Sequence, residues 1–180
     1  MKKLILLTAV AGFFAFSNVN AQTKDVGMTG AKLGIGADFA FPMGDYGDYA
    51  DFGFGGSLGV QVPIANRVNI TGSAGYLNFK SKEVLGVTVN SAAIPVKAGA
   101  RFFVAENFYI GGELGAAFPT EDGGKTAFAY APGVGIEFPV ADNGAIELGA
   151  RYEGWSSKNS LDQSFTNSFL GLRLAYNFGL

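Results

Sequence analysis

Hydrophobic residues recur at every second position in eight successive segments of this chain, with small or polar residues between them. In the first segment Leu33, Ile35 and Phe39 alternate with lysine, glycine and aspartate. A period of two places one set of side chains on each face of a β-strand, whereas an amphipathic helix needs a period near 3.6. The segments cover residues 33–41, 54–62, 68–76, 94–102, 108–118, 128–138, 146–152 and 170–178.

The connections between these segments alternate between short and long. The short ones are residues 63–66, 104–107 and 139–143, and the long ones lie near 42–53, 80–90, 119–126 and 156–166. Short turns at one end and long loops at the other are typical of up-and-down barrels, and strands of about ten residues can cross a bilayer when tilted. The sequence therefore predicts an all-β fold, an eight-stranded antiparallel up-and-down transmembrane β-barrel formed by residues 31–180.

The first 21 residues have the composition of an export signal. Lys2 and Lys3 precede the apolar stretch 4–16, and a small residue, Ala21, ends the segment. A helix rises ~1.5 Å per residue, so this stretch is too short for the ~20 residues that a membrane anchor needs. We expect a signal peptide, residues 1–21, cleaved after Ala21, and a short polar lead-in at residues 22–30.

Charged residues within the segments fall on the face that carries the small residues. In a membrane barrel this face lines the interior and the hydrophobic face contacts lipid, whereas in a soluble lipocalin-like barrel the two faces exchange roles. Glycines crowd the charged face, which suits a narrow lumen, and aromatic residues gather at the segment ends, as in interfacial girdles. The predicted lumen charge network comprises Asp38, Lys97, Arg101, Glu113, Glu137, Glu147, Arg151, Glu153 and Arg173.

Two irregularities interrupt the pattern. Pro95 and Pro132 lie inside proposed strands, although proline cannot donate a hydrogen bond to a neighbouring strand, and we expect a bulge at each of them. Leu77 and Phe79 put hydrophobic side chains on the charged face of the third strand. Either a bulge or an early strand end at Tyr76 is the expected explanation.

With these features the chain resembles the small outer-membrane β-barrel family that includes the OmpX type and the membrane domain of OmpA. The resemblance covers about residues 30–180 and lies in architecture more than in a fixed motif. The last strand carries the family's C-terminal assembly signal in Gly171, Leu174, Tyr176 and Phe178. The resemblance implies an outer-membrane location and folding by the outer-membrane assembly machinery, with the lipid bilayer as the surrounding partner.

The composition argues against most enzyme chemistry. The chain has no histidine and no cysteine, which excludes Ser-His and Cys-His nucleophiles and disfavours zinc ligation. Without Lys2 and Lys3 it has 11 basic and 15 acidic residues, a net charge of −4 that gives no reason to expect nucleic-acid binding. Asp45, Asp48 and Asp51 could gather a calcium ion, but their spacing favours a solvated acidic loop.

We expect no catalytic, cofactor or metal site and no enzymatic activity. An eight-stranded barrel is just wide enough to be filled by its own side chains, which favours a structural or surface-interaction role through the long loops, whose ligand the sequence does not name. The first alternative is a narrow, porin-like channel for small solutes, with a wet path past the lumen charges. The second is a soluble periplasmic ligand-binding barrel of the lipocalin kind.

Overall fold

The computed structural model describes residues 30–82, 90–121, 123–158 and 163–180. The predicted signal peptide with its cleavage site, and all of the lead-in except Gly30, lie outside these residues. No helix in the described ranges is long and apolar enough to cross a bilayer.

Eight antiparallel strands form one closed barrel in which each strand pairs with its sequence neighbours and β8 closes onto β1. The prediction of an all-β, eight-stranded up-and-down barrel is confirmed. A five-residue helix, α1 (Asp45–Tyr49), lies in the first long connection. The strands are β1 Lys32–Met43, β2 Ala50–Ala65, β3 Val68–Ser81, β4 Ser91–Phe103, β5 Phe108–Pro119, β6 Ala127–Ala141, β7 Gly144–Lys158 and β8 Ser164–Gly179.

Most strands are longer than the alternating segments from which they were predicted, so the connections are shorter. The loop-end connection between β7 and β8 spans only residues 159–163, because the two strands pair as far as Lys158 and Ser164. At the opposite end, β2 continues to Ala65, and the turn to β3 is made by Asn66 and Arg67. We call the two ends of the barrel the loop end and the turn end.

The hydrophobic face of the strands points outward. Leu58, Leu114 and Leu174, for example, are 56%, 60% and 48% exposed, whereas the charged residues of the opposite face point inward. The lipocalin-like alternative required the hydrophobic face to line a cavity, and this orientation contradicts it. The outward face instead forms the apolar surface that a bilayer requires.

The expected bulges at the two prolines are absent. The register is unchanged across Pro95, which pairs with Ala117 of β5, and across Pro132, which pairs with Gly112 of β5. The ladders on the other side, β4 with β3 and β6 with β7, instead omit pairs at these positions. Each strand thus tolerates its proline by losing local pairing with one neighbour, because the residue has no N–H to donate.

The third strand neither bulges nor ends at Tyr76. β3 continues to Ser81 in constant register with β2 as far as Phe52, and Leu77 and Phe79 point inward, where they are 2% and 1% exposed. The alternation of faces is intact, and the expectation was wrong because it treated the inward face as uniformly polar. The lumen has a hydrophobic layer near the loop end.

Glycines on the inward face allow close approach of neighbouring strands, and Gly99 gives a matched test. A Cβ at Gly99 would overlap with the carbonyl oxygen of Gly112 and lie 2.7 Å from Glu113 Cα, whereas a Cβ at Gly112 would have no neighbour closer than 3.9 Å. We expect Gly99→Ala to lower the free energy of unfolding by about 1–3 kcal/mol through overpacking. Gly112→Ala should stay within about 0.5 kcal/mol of the parent, as surface substitutions generally do.

Urea unfolding of the two variants in the same detergent micelles would measure this difference. Equal effects of the two alanines would show that the strands relax around Gly99 and that its approach to β5 is not required.

Candidate functional site

The lumen is the main candidate site, because the barrel directs nearly all of its buried polar groups there. Ten charged side chains of the described strands point inward and take part in ion pairs with one another, and five are basic and five acidic. They are Lys32, Lys97, Arg101, Arg151 and Arg173, with Asp38, Glu113, Glu137, Glu147 and Glu153. All nine residues of the predicted network are among them.

One cluster is centred on Glu147 of β7. Arg101 donates two hydrogen bonds to its carboxylate, at 3.0 and 2.9 Å, and the guanidinium also lies 3.4 Å from Glu137. The Tyr109 hydroxyl and the Asn177 amide donate to the same carboxylate at 2.8 and 2.9 Å. Four donated bonds compensate the desolvation of a carboxylate that is 1% exposed.

A second cluster is centred on Glu153, which is fully buried. Lys97 Nζ lies 2.8 Å and Arg151 Nε 2.7 Å from its two carboxylate oxygens, and Trp155 Nε1 donates a third bond at 2.9 Å. Arg151 also reaches β1, where its Nη2 lies 2.9 Å from Asp38. The cluster therefore joins β4, β7 and β1 across the lumen.

Towards the turn end, Glu137 accepts from Lys32 Nζ at 2.6 Å and from Gln61 Nε2 at 2.8 Å. Gln61 in turn accepts from Asn69 at 3.3 Å. Lys32 and Glu137 are both at most 5% exposed. Their pairing extends the network to the strand at which the barrel closes.

Arg173 and Glu113 have fewer close charged partners than the other lumen charges. Arg173 donates from Nη1 to Ser57 at 2.6 Å, while its Nε lies 4.0 Å from Glu147 and has no hydrogen-bond partner among the described residues. Glu113 lies 3.9 Å from Lys97. These two contacts are the loosest of the network.

Glu113 is stabilised chiefly by neutral donors. The hydroxyls of Thr71 and Ser73, on β3, two strands away from β5, donate to its two carboxylate oxygens at 3.1 and 2.9 Å. Such charge-assisted hydrogen bonds allow a carboxylate to remain in the lumen without an ion pair in direct contact.

A cluster of three inward aromatic side chains, Phe79, Trp155 and Phe169, lies in the lumen towards the loop end, and we call it the aromatic plug. The three rings make edge-to-face contacts with centroid separations of 5.2–5.7 Å. Tyr46 of α1 packs on Phe79 at 5.3 Å, and burial raises the pKa of its hydroxyl to about 12 despite a hydrogen bond with Ser91. The ring contact between Tyr46 and Phe79 joins the first loop to the plug.

The cavities found within the charge network are small. One lumen cavity of about 60 Å³ is lined by residues that include Arg101, Glu113 and Arg173. Another, of about 10 Å³, lies beside Lys97 and Leu77. The larger cavity has room for only a few water molecules.

Several lumen residues were missed by sequence reasoning. Lys32 completes the ion pairs, Gln61 and Asn177 supply amide donors, and Tyr109 and Trp155 donate from aromatic side chains. All five lie on the inward face, so the alternation itself could have identified them. Restricting the search to charged residues within the core segments excluded them.

The three aspartates of the first loop remain exposed. Asp45 and Asp48 lie on α1, Asp51 lies at the start of β2, and no group of three or more potential metal ligands occurs among the described residues.

Residues of the predicted assembly signal lie along β8. Leu174 and Phe178 point outward, and Tyr176 packs on Phe178 with ring centroids 4.6 Å apart. Gly171 points inward, where a Cβ would lie 3.1 Å from Arg151 Cγ, so its lack of a side chain leaves room for the arginine. This strand pairs with β1 over twelve residue pairs and closes the barrel.

Comparison with known proteins agrees with this architecture. The profile of the family described as "Outer membrane protein beta-barrel domain" matches residues 6–178, nearly the whole chain. The chain belongs to this outer-membrane β-barrel family. Membership points to the bacterial outer membrane as the location and to its lipid bilayer as the environment of the apolar outer face. No curated protein matches the sequence.

Solved structures show the same fold in other members of this class. Neisserial surface protein A is 16% identical, with a TM-score of 0.63 over 83% of this chain and 97% of that protein. Ail, the attachment invasion locus protein of Yersinia pestis, was crystallised with the heparin analogue sucrose octasulfate. It is 23% identical, with a TM-score of 0.53 over 82% of this chain and 97% of that protein. At these identities the similarity shows the fold alone.

Proposed function

We propose that this outer-membrane barrel has a closed lumen and serves a structural or surface-interaction role through its loop end, without enzymatic activity. The observation that carries the proposal is the filled interior, in which ten charged side chains pair with one another and the aromatic plug lies above them. Such an interior stabilises the wall of the barrel and offers no open route for solutes.

The hydrogen bonding of the lumen carboxylates favours a closed lumen over a channel. A selective pore needs charged groups that can exchange their partners for a passing ion. Here Glu147 and Glu153 each already accept three or more hydrogen bonds from buried or partly buried donors. An ion entering the lumen would have to replace these bonds.

The loop end has a feature suited to contacts outside the membrane. β7 and β8 pair to Lys158 and Ser164, whereas the pairing of β8 with β1 stops at Ser168. The paired ends of β7 and β8 therefore extend beyond the end of β1. The exposed aromatic side chains Tyr49 and Phe165 lie at this end, and aromatic residues are enriched in protein interfaces.

The proposal also includes a route of export and assembly. Residues 1–21 would direct export and be cleaved after Ala21, and the lead-in 22–30 would precede the barrel domain, residues 31–180. The C-terminal strand with Gly171, Leu174, Tyr176 and Phe178 would be the segment recognised by the assembly machinery. Mass spectrometry of the mature protein would test the cleavage position.

Conductance in planar bilayers tests the closed lumen. The wild-type protein should give no discrete current steps, while its heat-modifiable migration on gels shows that the barrel is folded. A variant with Phe79→Ala and Phe169→Ala lacks two rings of the plug. Once heat-modifiable migration has shown that it is folded, it should give current steps that the wild type lacks.

Discrete steps in the wild-type protein whose ion preference changes in Arg101→Ala would contradict the proposal. They would establish the narrow channel instead.

A further inference from the structure

The outward face of the described strands is almost free of charge. Its charged side chains are two lysines, Lys80 near the end of β3 and Lys158 at the end of β7, apart from Asp51 in the bulge between Ala50 and Phe52. Both lysines lie at the loop end of their strands. Acidic residues in the strand interiors, by contrast, all point into the lumen.

Lys80 adjoins a cluster of outward aromatic rings. Its Nζ lies 5.9 Å from the centre of the Phe54 ring, and its backbone pairs with Phe52. Phe52 in turn contacts Phe39 and Phe41, with ring centroids 6.2 and 5.4 Å apart. The ammonium group therefore lies at the upper edge of an apolar aromatic surface.

The position of Lys80 along β3 is the one expected for a residue at the boundary of the membrane. A tilted strand spans the hydrocarbon core with about 9–11 residues, and Lys80 is the thirteenth of the 14 residues of β3. Lysine at such a boundary extends its ammonium group to the headgroups while its methylenes stay on apolar surface. Lipid phosphates are the anions found at that depth.

Lys82 adds a second positive charge two residues further along the chain. It follows β3 directly, is exposed, and is held to the first loop by a hydrogen bond of 2.9 Å from its backbone N–H to the Tyr49 carbonyl. In the described part of the chain, neither lysine has a carboxylate within ion-pair distance. Their charges are available to an external anion.

We propose that Lys80, together with Lys82, binds the phosphate group of a lipid in the leaflet at the loop end of the barrel. The aromatic surface of Phe39, Phe41, Phe52 and Phe54 contacts the upper part of its acyl chains. The site recognises a lipid-borne phosphate, because apolar and cationic parts lie side by side at the depth where lipid chains meet their headgroups.

Unfolding in vesicles provides the test. Urea titrations are made in phosphatidylcholine vesicles and in vesicles that also contain anionic phosphatidylglycerol, with wild type, Lys80→Gln, Lys82→Gln and the double variant. Lys125→Gln, which removes an exposed charge from the third long loop, is the matched control. Heat-modifiable migration confirms that each variant is folded.

The anionic lipid should lower the unfolding equilibrium constant of the wild type by about fivefold for each lysine that contacts the headgroups. The double variant should lose this effect, and Lys125→Gln should retain it. An equal response in all variants would overturn the proposal. So would an equal stabilisation by inorganic phosphate in phosphatidylcholine vesicles at matched ionic strength, which would indicate a site for the free ion.

Discussion

Replacing Glu153 with leucine should lower the free energy of unfolding of the barrel by about 3–5 kcal/mol. Glu153 is fully buried and holds Lys97, Arg151 and Trp155 with contacts of 2.7–2.9 Å. Leucine has a similar volume but leaves two cations without their shared carboxylate in a space with little water. Equilibrium unfolding in micelles, followed by Trp155 fluorescence, would measure the loss.

Two controls separate charge pairing from general disruption. The double variant Lys97→Met and Glu153→Leu removes one cation with the anion and should recover part of the loss. Glu113→Gln should cost less than Glu153→Leu, because Lys97 lies 3.9 Å from Glu113 and the hydroxyls of Thr71 and Ser73 remain as donors. If Glu153→Leu left stability unchanged, the central ion pairs would not hold the wall of the barrel together.

Phe79→Ala should have an effect of similar size, a loss of about 3–5 kcal/mol in the free energy of unfolding. The ring is 1% exposed and contacts Tyr46, Trp155 and Phe169 at centroid separations of 5.2–5.7 Å. Its removal leaves a cavity in the plug and takes the packing surface of α1 away. We also expect proteases to cleave the first loop of the folded variant faster than that of the wild type.

Phe54→Ala is the matched control, because it removes the same ring from the outward face of the adjacent strand. Phe54 is 46% exposed, and lipid can fill the space that its ring leaves. The loss should therefore be well below that of Phe79→Ala. Equal losses would show that the inward aromatic layer contributes no more than ordinary strand packing.

Alternation of residues predicted most of the fold, because a strand has only two faces. The same rule placed all nine predicted charges inward, and Asp38 and Arg151 were assigned to one lumen although 113 residues separate them. Which charge pairs with which could not be predicted. The partners depend on the stagger of eight strands around the barrel, and a shift of one strand would change them.

The plug shows where the pattern was insufficient. Leu77 and Phe79 broke the simple rule of polar inside and apolar outside, and were interpreted as a break in the strand. They point inward because they pack against Trp155 and Phe169, which lie on other strands and reach them across the lumen. The two prolines were also misjudged, since a closed ladder can omit pairs with one neighbour without changing register.

Two properties are central to the proposed barrel: its outward face contacts lipid, and its lumen is closed to bulk water. Trp155, the single tryptophan of the chain, reports on both because it lies inside the plug and is 7% exposed. Its fluorescence in vesicles would be measured with acrylamide in the water and, separately, with brominated lipid. A control variant with Trp155→Phe and Leu172→Trp carries the tryptophan on the outward face.

We expect Trp155 to be protected from both quenchers and the outward tryptophan to be quenched by the brominated lipid. Strong quenching of Trp155 by acrylamide would contradict the closed lumen, and strong quenching by brominated lipid would contradict the assignment of the two faces.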